Sequence, residues 1–177
     1  MLPPKLQELA DGMEENRRSI LALVSGLSDA EFAARAEGEW SIGEIIEHMI
    51  LSETGTSKVI RKVLKDNAGK LPPYPADDST LAVRPFPGLA GEGGKAPEAA
   101  LPKGTMGKEE LLALAAATRA QTLQSLAMLA AVDPRSGEFP QPLLGRMNLY
   151  EWAKLIILEH QKQHHAQIAE IVRKLRG

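Results

Sequence analysis

The sequence predicts an all-α protein, a four-helix bundle running up-down-down-up. Three observations carry that expectation. Four stretches repeat apolar residues at spacings of three and four, which gives each a single buried helical face. Aromatic residues make up only 4% of the chain, while alanine is abundant, as in LLALAAATRA at 111–120; strands favour the opposite composition. Between the second and third stretches lies a segment, 67–106, with seven of the twelve prolines and six glycines. It cannot continue a helix, and it is long enough to carry the chain back to the end from which it came.

The first long helix is expected over 5–27, with Leu6, Leu9, Met13, Ile20, Val24 and Leu27 on one face and Pro3 and Pro4 suited to its first turn. A short helical piece follows in LSDAEF, where Ser28 caps, Glu31 stands three residues on, and Leu27 and Phe32 can staple the turn. The same grammar recurs at WSIGEI: Ser41 caps, Glu44 closes the capping box and Trp40 meets Ile45. That second long helix runs to about Asp66 through Ile45, Met49, Val59, Ile60 and Val63. The crossover at 67–106 reads either as a floppy linker between two helical hairpins or as a loop packed over the bundle, and its Leu71, Tyr74, Leu81, Val83, Phe86, Leu89 and Leu101 favour the packed loop. A third helix spans Gly107 to about Val132 with Leu112, Ala115, Thr122, Leu126 and Leu129 inward. The fourth opens at MNLYEW, with Asn148 as cap, Glu151 at its third position and Met147 near Trp152, and ends near Leu175. No strand and no internal repeat are expected.

Composition bounds the function. The 177 residues, 44% hydrophobic and 25% charged, fit one globular domain over 1–177. Lys+Arg 21 against Asp+Glu 23 leaves a formal charge of -2, which argues against a nucleic-acid partner. There is no cysteine, so thiolate metal sites, disulfides and cysteine nucleophiles are excluded. No apolar run approaches the ~20 residues of a membrane span, and MLPPKLQELADG lacks the apolar centre of a signal peptide. A cytoplasmic protein with no membrane partner is expected.

The histidines carry the chemistry. His48 shares a helical row with Ile45, Ser52, Gly55 and Val59, which is apolar or small, so His48 faces inward. On the fourth helix the inward row is Ala153, Ile156, His160, His164, Gln167 and Ile171. His160 and His164 form an i, i+4 pair able to chelate one ion. Three buried imidazoles each need a partner, and a shared divalent cation supplies it. His165 lies about 100° round from His164 and falls on the flank.

Ligand depth selects the topology. His48 lies about 10 Å into its helix, and His160 and His164 about 18 and 24 Å into theirs, at ~1.5 Å per residue. Parallel helices from a common end would miss by ~8–14 Å; antiparallel ones bring the ligands closer to one level. Antiparallel second and fourth helices require a long crossover between the second and third, which 67–106 supplies.

Trp40-Ser41-Ile42-Gly43-Glu44-Ile45-Ile46-Glu47-His48 resembles the WSxxEhxxH motif of the DinB-like (DNA-damage-inducible) family of metalloenzymes. Glu159-His160-Gln161-Lys162-Gln163-His164-His165-Ala166-Gln167-Ile168 is similar to that family's HxxxH motif followed by an AQI-like turn. The resemblance implies a four-helix bundle, often a homodimer, with nickel or zinc on His48, His160 and His164. In many relatives the second of a doubled histidine is the ligand. That register would set Gln161 at a ligand position, whereas the register keeping the AQI turn uses His164. Relatives include isomerases and transferases that use the low-molecular-weight thiols mycothiol or bacillithiol.

Three neutral imidazoles leave zinc an open position, as in catalytic sites, where a water or a thiol is activated. Affinity is expected to fall as pH drops through the imidazole range near ~6.5. Gln167, one turn past His164, is placed to orient a ligand or bind substrate. Glu44, one turn before His48, has its capping role and a candidate role behind the ligand. Glu47 and Glu159 are expected to be solvated, and Ser52 and Gly55 either allow close packing or leave room for a substrate. The expected function is a divalent-metal-dependent enzyme of the thiol transferase or hydrolase type acting on a small molecule. The alternatives are a non-enzymatic metal-binding or stress-response dimer with a closed or vestigial site, and a plain helical dimerisation module with core histidines.

Overall fold

The computed structural model describes residues 1–89 and 96–177; the 90–95 part of the expected crossover lies outside the described residues. Helix α1 spans Pro4–Val24, with proline in its first turn, and buries Leu6, Leu9, Met13, Ile20 and Val24. The short α2, Asp29–Ala33, and the long α3, Ile42–Asp66, both open on complete capping boxes, Ser28 with Glu31 and Ser41 with Glu44. Each box satisfies backbone donors that the first turn leaves orphaned, which fixes where the helix begins. Helix α4 covers Lys108–Leu129. The last helix, α5, is continuous but changes gauge. It starts with the α-helical turn Leu149–Glu151 behind an Asn148 capping box, becomes π-helical over Trp152–Glu159, and is α-helical over His160–Arg176.

Side-chain contacts give the helix directions. Down α3, Gly43 meets Leu111, Glu53 meets Arg119, Ser57 meets Thr122 and Arg61 meets Ser125, so α3 and α4 run parallel. His48 meets His164 and His160, Glu53 meets Gln161, and Val63 and Leu149 both border Gly137, so α3 and α5 are antiparallel. Gly12 approaches Leu158 and Gly26 approaches Arg176, so α1 and α5 are parallel. The bundle is up-down-down-up, and the crossover joins the parallel pair. Tyr74, Leu81 and Val83 of the crossover pack on the core, and Phe86 and Leu89 pack near Trp152. Leu101 instead is exposed.

Two further features differ from the sequence expectation. A two-stranded antiparallel hairpin, β1 Glu138–Gln141 and β2 Gly145–Asn148, stands where no strand was expected. Its strands are too short, and Pro140 too disruptive, to leave an alternating pattern; Gly145, with φ 74°, supplies the left-handed turn residue that closes it. On α4 the buried row is Leu111, Thr118, Arg119, Thr122, Ser125, Leu126 and Leu129, while Leu112 and Ala115 are only half-buried. The row turns because Arg119 points inward. Its guanidinium holds the Glu53 carboxylate at 2.7 and 3.1 Å, the Met13 carbonyl at 2.5 Å and Gln161 Oε1 at 2.9 Å. This polar belt lies between two apolar clusters. One contains Leu6, Leu9, Val63, Leu129 and Ile157, and the other Val24, Ile42, Ile45, Leu111 and Ile168.

Candidate metal centre

The capping box at Ser41 places His48 in the second turn of α3, facing α5. On α5 the change of gauge places the partner residues. In an α-helix, residues four apart drift one way round the axis. In a π-helix, with hydrogen bonds spanning i to i+5, they drift the other way. The two drifts offset, so Trp152, Ile156, His160 and His164, each four apart, all line one cavity. The π register persists to His160, whose N–H reaches the Leu155 carbonyl five residues back.

His48 Nε2 lies 3.3 Å from His160 Nε2, and His164 Nε2 lies 2.9 Å from the same atom. One nitrogen from each ring falls within 4.8 Å of the others, and all three side chains are buried. The outer nitrogens assign the tautomers. His48 Nδ1 donates to the Ala100 carbonyl at 2.6 Å, and His164 Nδ1 donates to Gln167 Oε1 at 2.9 Å. His160 Nδ1 is buried without a well-formed hydrogen bond, though the Ile156 carbonyl one turn back raises its basicity. With Nδ1 protonated on His48 and His164, their Nε2 lone pairs converge on the third imidazole. One His160 proton cannot serve both well; a cation serves all three. Nitrogens bound to zinc at ~2.0–2.1 Å in a tetrahedron stand about 3.3 Å apart, so the donor set fits such an ion.

Burial lowers all three histidine pKa values. It takes His160 to about 3, with the neighbouring imidazoles adding to the effect, and His164 to about 4 against the opposing Gln167 hydrogen bond. His48 is lowered by burial, partly offset by the Ala100 carbonyl. The folded site therefore keeps His160 and His164 neutral well below the ~6.5 at which free imidazole titrates. The pH at which affinity falls is thereby moved below that expected from free imidazole.

The other candidates divide. Gln167 holds His164. Ser52 and Gly55 line the cavity. Glu44 serves its capping box and pairs with Arg35, away from the imidazoles. Glu159 is half-buried and pairs with Lys162. His165 is half-buried and stands outside the three-histidine group. Glu47, expected in solvent, is 3% exposed. Its carboxylate accepts the backbone N–H groups of Lys103 and Gly104 at 3.0 and 2.9 Å, strapping down the crossover that brings Ala100 to His48. A helical wheel gives Glu47 no inward position because the covering layer comes from a distant loop. The Ala100 carbonyl and the Arg119–Glu53–Gln161 cluster were likewise not foreseen. A backbone acceptor has no side-chain signal, and a lone Arg119 among alanines reads as a solvent face.

A cavity of about 740 Å³ opens beside the histidines, within the range of small-molecule sites. Trp40 covers one side of His48, with ring centroids 5.0 Å apart. Among the described residues no helix is long and apolar enough to cross a membrane.

A family model described as the DinB superfamily matches residues 13–168. A solved structure described as "Crystal structure of TT2238, a four-helix bundle protein" is similar in fold, with a TM-score of 0.59. It shares 22% identity, over 96% of this chain and 98% of that one. Among curated proteins, none matches in sequence.

Proposed function

The chain belongs to the DinB superfamily, and from that premise we propose that it is a divalent-metal-dependent enzyme, with His48, His160 and His164 as ligands to zinc or nickel. The observation that carries this reading is the convergence of imidazole nitrogens whose outer partners leave their lone pairs pointing inward. A divalent ion there supplies Lewis acidity, which lowers the pKa of an adjacent water or thiol and makes it nucleophilic near neutral pH. The chain's own residues do the rest. Ala100 and Gln167 hold two imidazoles in the metal-binding tautomer, Glu47 anchors the loop that carries Ala100, and the cavity beside them leaves room for a small substrate. The reaction class is thiol transfer or hydrolysis of a small molecule, with a low-molecular-weight thiol as candidate cosubstrate.

A non-enzymatic closed site would need a fourth protein ligand or a filled pocket. Among the described residues the group holds three ligands and the space beside them is open, which favours the enzyme. The test is elemental analysis of the purified, untagged protein, followed by calorimetric titration of zinc and of nickel. His48→Ala, His160→Ala and His164→Ala should lose tight binding and His165→Ala should keep it. Gln167→Leu should weaken binding about tenfold, the usual cost of removing a group that orients a ligand. Wild-type affinity in all four alanine variants would end the proposal.

A further inference from the structure

The cavity differs on the two sides of the histidines. Because α3 and α5 are antiparallel, Leu51, Gly55 and Val59 extend from His48 in the direction that meets Ile156 and Trp152, with Leu143 of the hairpin tip opposite. The other side holds Glu39, Trp40, Gln167, Glu170 and Lys174. Charged side chains thus line one lobe and are absent, among the described residues, from the other.

Thr56, Trp152 and Gln141 turn polar atoms to the protein, while the half-buried Ser52 beside His48 adds a neutral hydroxyl to the lining. Thr56 Oγ1 donates to the Ser52 carbonyl at 3.0 Å, and Trp152 Nε1 donates to the Phe139 carbonyl at 3.2 Å. Gln141 Oε1 accepts from the Leu143 and Leu144 amides, each at 2.6 Å. Gly55 is the telling residue. Glycine is a poor helix former, yet Gly55 sits in the middle of α3 without positive φ. A Cβ there would meet nothing within 4 Å. Neither backbone geometry nor close packing calls for it; Gly55 is exposed, and what it preserves is open, solvent-reached space in the cavity wall.

We propose that this lobe binds an uncharged apolar group of the substrate, a short alkyl, acyl or aryl moiety, and that Gly55 sets the room for it. The position of the substrate's polar head at the histidines rests on the metal reading above; the lobe's preference does not. A carboxylate or phosphate placed in the lobe would meet apolar side chains and, among the described residues, find no cation in that lining.

Two measurements separate the readings. In the first, Nile red, a neutral dye, is bound to the metal-free protein and displaced by hexanamide, with and without Gly55→Leu. In the second, acetohydroxamate, hexanohydroxamate and adipic monohydroxamate, which ends in a carboxylate, are titrated into zinc-loaded protein. Hexanohydroxamate should bind at least tenfold tighter than acetohydroxamate, since each buried methylene contributes about fourfold. The carboxylate-ended chain should lose that gain. Gly55→Leu should weaken dye binding at least tenfold and erase the alkyl gain, with an unlowered melting temperature and wild-type zinc affinity. Equal affinity for the three hydroxamates, or wild-type dye binding by Gly55→Leu, overturns the proposal. A protein that takes neither zinc nor nickel but whose dye binding is lost in Gly55→Leu overturns the metal reading and upholds the lobe.

Discussion

Replacing Arg119 with methionine tests the polar belt that divides the core. The arginine and Glu53 side chains are 6% and 5% exposed, and their pairing is bidentate. Arg119→Met keeps an unbranched chain of similar reach but removes the guanidinium, leaving Glu53 with the Gln161 amide at 2.7 Å as its hydrogen-bond donor. An ionised carboxylate is then buried without a counter-charge, a loss of about 3–5 kcal/mol. For a chain of this length each kcal/mol moves the melting temperature by about 2–4 °C, so a fall of about 6–20 °C is expected. Urea denaturation followed by circular dichroism gives the free energy directly. The double variant Arg119→Met, Glu53→Leu should recover part of the loss, because it removes the unpaired charge and strands only the neutral, buried Gln161 amide. A single variant within 1 kcal/mol of wild type, or a double variant no better than the single, would refute the reasoning.

Two more predictions concern pH and assembly. The histidines' folded pKa values lie below ~6.5, so as pH falls from there the unfolded chain takes up protons that the folded chain does not. Stability of the metal-free protein is therefore complete above ~6.5 and declines below it, with a limiting slope of about 1.4 kcal/mol per pH unit for each histidine that stays neutral. Urea titrations between pH 7 and 5, above the carboxylate range, should show the decline, and a flat profile contradicts it. The outer face of α4 exposes Leu114, Ala117, Ala120, Gln124 and Met128, with no exposed charge between Glu110 and the helix end. A two-fold dimer through this face should appear in light scattering at micromolar concentration and be split by Ala117→Arg. A monomeric wild type would remove it.

What could be read from the sequence was local and periodic. Ser41 with Glu44 and Asn148 with Glu151 announce helix starts because a capping box needs particular side chains at a fixed spacing. The inward histidines follow from the same periodicity. The π-helical stretch has no such mark, since it is a shift in which carbonyl each N–H finds, and Trp152–Glu159 reads equally well as an ordinary helix. Glu47 was misplaced and Arg119 left no signal for a common reason: each is buried by a segment far away in the chain, 56 residues off for Glu47 and Lys103 and 66 for Arg119 and Glu53. Charge and helical angle speak for a residue's own helix and not for what lands on it.

The crossover is far longer than the distance it covers. Twenty-five residues of α3 rise about 37 Å, whereas the chain from 67 to 107 could stretch about 130 Å. The surplus is spent as a roof that contributes Leu89, Pro97 and Ala99 to the cavity while, among the described residues, its hydrogen bond to the ligand set is made by the Ala100 carbonyl. Insertions, deletions and substitutions there can therefore reshape what the cavity accepts without moving the helices that hold the histidines. Evolution, or an engineer, has in this layout a selectivity element that varies independently of the reactive centre, provided that Ala100 stays in place.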